Sequence, residues 1–103
     1  MTVFSDELLN TALELATEWG ENFRKPIHER IRQKYPDLTE AEIDELTIIA
    51  RRAESRIYEL ADDEMAGKLS EYEIAPEAMR EFTWLTSSNA GRLKNIGMYY
   101  ARR

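Results

Sequence analysis

Thr39-Glu40-Ala41-Glu42 is a capping box that opens a run apolar on one side as far as Ala66. In such a box the threonine hydroxyl accepts from the Glu42 amide while the Glu42 carboxylate reaches back to the Thr39 amide. Leu38 and Ile43 occupy the two positions of a hydrophobic staple around it. Glu40, Glu42, Asp44 and Glu45 bring negative charge to the turns whose amides are unpaired and where the helix dipole is positive. Gly67 is placed to close the helix in a left-handed cap, with Lys68 just beyond. The spacing therefore predicts one long helix over 39–66, around which the rest of the chain must pack.

At about 100° per residue, Ile43, Leu46, Ile49, Ala50, Ala53, Ile57, Tyr58, Leu60, Ala61 and Met65 share an arc roughly 180° wide. A helix with one neighbour needs less. The width predicts partners on two sides, supplied by the segments before and after. The spacings of three and four along Ile43, Leu46, Ala50, Ala53, Ile57 and Leu60 match shallow-angle bundle packing, and the central alanines admit a close neighbour.

Before this helix, Ser5 is a cap with Asp6 and Glu7 in the first turn. Leu8, Ala12, Leu15, Ala16, Trp19 and Phe23 form an apolar face widened by Leu9 and Leu13, opposite an acidic stripe of Glu14, Glu18 and Glu21. Pro26 lacks an amide hydrogen and pushes Lys25 away from helical angles, which predicts a kink or break near 24–26 and a second helical piece to Lys34. Tyr35-Pro36-Asp37-Leu38 is the turn into the central helix. After Gly67, residues 68–75 read as a loop with one helical turn, and Pro76 suits the first position of a last helix. Met79, Phe82, Leu85, Thr86, Asn89, Leu93, Ile96 and Tyr100 keep one face, so the register predicts a continuous helix over 76–102 even though Ser87-Ser88-Asn89 is a weak helix former. The expected fold is all-α: a single domain, 1–103, built as an antiparallel up-down bundle of three long helices. The first is kinked or split near Pro26, which would make four.

Composition narrows the function. The 103 residues are enough for one core. The chain has no cysteine, so neither a disulfide framework nor a thiolate metal site is expected. No stretch approaches the ~20 apolar residues of a membrane span, and Met1–Leu15 lacks the basic and apolar pattern of a secretory leader, so a cytoplasmic location is the expectation. A net charge of −6 argues against phosphate neutralisation, and hence against nucleic acid, and favours a basic partner. Residues 1–23 carry acids and no base, whereas 90–103 carry Arg92, Lys94, Arg102 and Arg103 and no acid. If the first and last helices lie side by side, this asymmetry contributes to holding them together.

Glu54 and Asn89 fall inside apolar arcs and are the candidate buried polar residues. They either form a polar site in the bundle core, with Glu54 as ligand or base, or Glu54 pairs with a nearby Arg or Tyr at the edge of the core and Asn89 fixes helix register. Glu42 with Glu45, and Glu59 with Asp62, have the ExxE and ExxD spacings by which all-helical nucleoside triphosphate pyrophosphohydrolases hold magnesium, with Glu18 and Glu21 as a substitute pair. The first two pairs are 17 residues apart on one expected helix, ~25 Å along its axis, and do not converge. His28, the only histidine, is expected to be exposed and excludes HExxH and paired ExxH sites. Arg51, Arg52 and Arg56 alternate with acids and read as a salt-bridge lattice. No catalytic, cofactor-binding or metal residue is expected.

Trp84, Gly91 and Met98 recur every seven residues on the outer side of the expected last helix, flanked by Ser87, Ser88 and Asn95. Such a face can receive a second helix, unless Trp84 is covered by 68–75 or by the first helix. The functional expectation is a small helical protein that acts through protein contacts, without catalysis, as a homodimer through Trp84, Gly91, Met98, Ser87 and Asn95. The alternatives are an acidic inhibitor or immunity-type module, binding a basic protein through Glu14, Glu18, Glu21 and Asp62-Asp63-Glu64, and the magnesium pyrophosphohydrolase.

Overall fold

The central helix starts and stops where its local chemistry requires. In a computed structural model of the chain, Thr39 Oγ1 accepts from the Glu42 amide at 3.1 Å and the Thr39 amide donates to Glu42 Oε1 at 2.8 Å, completing the box. At the other end Gly67 has φ +80°, Lys68 N donates to Asp63 O at 2.8 Å, and Gly67 N donates to Glu64 O at 3.0 Å. This pair of bonds is a Schellman cap. A Cβ at Gly67 would meet nothing within 4 Å, so Gly67→Ala should cost only the left-handed backbone penalty. We expect about 1 kcal/mol, read from the midpoint of urea unfolding.

The structure describes residues 4–18 and 27–102, which form five helices: α1 (Asp6–Ala16), α2 (Ile27–Lys34), α3 (Glu40–Met65), α4 (Glu71–Glu81) and α5 (Ser87–Ala101). No strand occurs among the described residues, and none of their helices is long and apolar enough to cross a membrane. Contacts gather into two compact units, Met1–Arg52 and Ala53–Arg103, so that each takes half of α3.

In the first unit α1 packs against α2. Ser5 caps α1 by accepting from the Leu8 amide at 3.1 Å. The buried side of α1 is Leu9, Ala12, Leu13 and Ala16, with Leu8 and Leu15 only half-buried at its margin. The first expected helix, kinked or split near Pro26, is corrected in its first piece, since α1 stops at Ala16, while the second piece to Lys34 is α2. Two polar contacts act there. Thr17 Oγ1 donates back to Leu13 O at 2.8 Å, a local bond that competes with the helical ladder. Arg51 donates from its guanidinium to Ala16 O at 3.1 Å and so satisfies a terminal carbonyl. Trp19, Glu21, Phe23 and the Pro26 kink lie outside the described residues. Ile27 and Ile31 bury one side of α2, and Ile43, Leu46 and Ala50 bury that of α3 in this unit. Leu38 N donates to Tyr35 O at 3.2 Å in the turn between them.

In the second unit the expected single helix over 76–102 is two helices, and the helical turn expected within 68–75 is the start of α4. Phe82 leaves α4 with φ −115° and ψ 88°, and Thr86 begins α5 as its N-cap by accepting from the Asn89 amide at 3.2 Å. Thr86-Ser87-Ser88-Asn89, read as a weak point in one helix, is the cap of a new one. The apolar register is continuous across 79–100 because α4 and α5 each turn a face to the core and pack on each other. Pro76 is the sixth residue of α4 rather than the first, on its exposed side. Ile74 and Ala78, both fully buried, hold α4 in place despite the missing amide.

Gly97 is buried, and a Cβ there would stand 3.0 Å from Tyr58 Cδ1 and 3.2 Å from Ala61 Cβ. Tyr58 and Tyr100 stack edge-on at 5.9 Å between centroids, and Arg102 donates to Glu64 at 2.6 Å. Residues 97–102 therefore follow residues 58–64 in the same sense along the contact. The basic end of the chain finds acids within its own unit, since Lys94 also lies 3.9 Å from Glu71.

Candidate functional site

Glu54 and Asn89 both lie in the second unit, each beside further polar groups. Glu54 is half-buried and accepts from the Tyr58 hydroxyl, one turn on, at 3.2 Å. Asn89 is buried, and its Oδ1 accepts from the Arg92 guanidinium at 3.5 Å. Arg92 and Tyr100 both act electrostatically on Tyr58, so one neighbourhood joins α3 to α5. Its chemistry is that of a satisfied network: one carboxylate, one phenol that stays protonated, an amide and a guanidinium.

Burial pushes the Tyr58 hydroxyl well above its ordinary value, and the charge and hydrogen bond of Glu54 push the same way; Tyr100 adds to this and Arg92 opposes it. A group whose pKa rises on folding stabilises the fold fully below the unfolded value, here near 10, and loses that contribution as pH climbs beyond it. Stability should therefore fall above about pH 10, and Tyr58→Phe should make that fall shallower by up to one proton. Urea midpoints at intervals from pH 8 to 11 check it. Equal slopes in the two proteins would contradict the assignment.

Two buried polar residues escaped the sequence reading. Asn10 Nδ2 donates to Asp6 O at 2.8 Å, and Thr17 is the residue that ends α1. Asn10, Leu13 and Thr17 follow spacings of three and four, which was the available signal.

One member of each acidic pair has a structural occupation. Glu42 caps α3, Glu59 lies 3.3 Å from Arg56, and Glu18 accepts from Arg30 at 2.5 Å. Asp44 accepts a place beside His28, its Oδ1 2.7 Å from Nε2, with the imidazole partly exposed. Among the described residues no three His, Asp or Glu side chains are grouped to hold a metal. The arginines divide: Arg56 joins Glu81 at 2.8 Å as well as Glu59, whereas Arg51 serves the α1 carbonyl. On the acidic surface, Asp63 lies 3.9 Å from Lys68, and Glu64 is bonded to Arg102.

The seven-residue stripe is only partly on one helix. Trp84 lies in the connection between α4 and α5, half-buried and edge-on to Phe82 at 6.0 Å. Ser87, Gly91, Asn95 and Met98 do share the outward side of α5, with Ser87 and Asn95 exposed and Gly91 and Met98 half-buried. A Cβ at Gly91 would meet nothing within 4 Å. No family model, curated protein or solved structure matches the chain. Beside Met98 stands Tyr99, 60% exposed and edge-on to Tyr100 at 5.7 Å.

Proposed function

We propose that the protein works through contacts with other proteins, without catalysis, and that the outward side of α5 is its contact surface, with a second copy of the chain as the occupant. Gly91 carries this reading. Glycine inside a helix costs about 0.5–1 kcal/mol relative to alanine. At Gly97 the closeness of Tyr58 and Ala61 gives a reason for it; at Gly91, among the described residues, nothing beyond the neighbouring residues and backbone of α5 itself stands within 4 Å of where a Cβ would be. A helix from another molecule, crossing where the backbone is bare, supplies the missing reason. Ser87 and Asn95 keep the approach shallow, and Met98 and Tyr99 offer the adaptable and aromatic contacts common at interfaces. A twofold dimer is the simplest assembly such a face makes.

Native mass measurement tests this directly. Wild type is expected as a dimer, and Gly91→Leu should raise its dissociation constant at least tenfold, about 1.4 kcal/mol, with an unchanged helical circular dichroism signal. A wild type that stays monomeric as its concentration is raised overturns the proposal, as does a Gly91→Leu dimer of undiminished strength.

A further inference from the structure

We draw no further inference here: the strongest candidate, the exposed apolar surface of Met65 and Tyr72 where α3 ends and α4 begins, has nothing in the structure to show what covers it.

Discussion

Valine at position 97 should destabilise the protein by about 1–3 kcal/mol, whereas alanine at position 91 should stabilise it by about 0.5–1 kcal/mol. Both changes replace a glycine inside α5, and both gain helix propensity. The difference lies in what surrounds them. At Gly97 the first added carbon already stands 3.0 Å from the Tyr58 ring and 3.2 Å from the Ala61 methyl. Ala61 can yield only by moving the α3 backbone that carries it. Tyr58 is restrained by Tyr100 and by its bond to Glu54. The two further methyl groups of valine enlarge a contact that is already tight, so strain exceeds the propensity gain. At Gly91 nothing opposes the new carbon. Urea unfolding of the two variants, carried out below the concentration at which wild type associates, should move the midpoints in opposite directions. Midpoints that move together would show that the closeness at Gly97 is relieved without cost.

Ile57→Ala should cost about 2–5 kcal/mol, and Ile48→Ala no more than about 0.5 kcal/mol. The two isoleucines lie on the same helix, so propensity and residue type cancel in the comparison. Ile57 is fully buried and Ile48 is 59% exposed. Truncation at Ile57 removes apolar atoms from the core and leaves a cavity that packed neighbours fill only in part. For a chain this size each kcal/mol lowers the melting temperature by roughly 4–8 °C, so a loss of 3 kcal/mol appears as at least ~12 °C. Thermal unfolding followed by circular dichroism separates the two. Similar losses at both positions would mean that α3 is turned differently about its axis.

What was legible in the sequence was local. Both ends of α3 were written within a few residues, in Thr39 with Glu42 and in Gly67 with Lys68, and both formed as written. The end of α1 was not, because one of its determinants, Arg51, lies 35 positions from the carbonyl it satisfies. The division of 76–102 was hidden by the apolar periodicity itself: α4 and α5 each face the core, so the spacing runs unbroken through a reversal marked only by the Thr86 cap. Pro76 misled in the opposite way. It has the look of a first helical residue, yet burial of Ile74 and Ala78 extends the helix back to Glu71. For the site, the arcs identified Glu54 and Asn89 as polar groups on apolar sides. Which groups answer them depended on the approach of α5 to α3, which no spacing within either helix encodes. The Trp84 stripe failed at its first member because periodicity was carried across a connection.

Pro76 also sets how α4 behaves in time. The Tyr72 carbonyl receives no amide hydrogen from position 76, and only the residues from Glu77 onward can continue the ladder. Eleven residues with such a gap are too short to remain helical alone. α4 is thus a helix on loan from Ile74 and Ala78: its amide protons should exchange with solvent through brief local openings of this segment, while those in the middle of α3 wait for the fold to open.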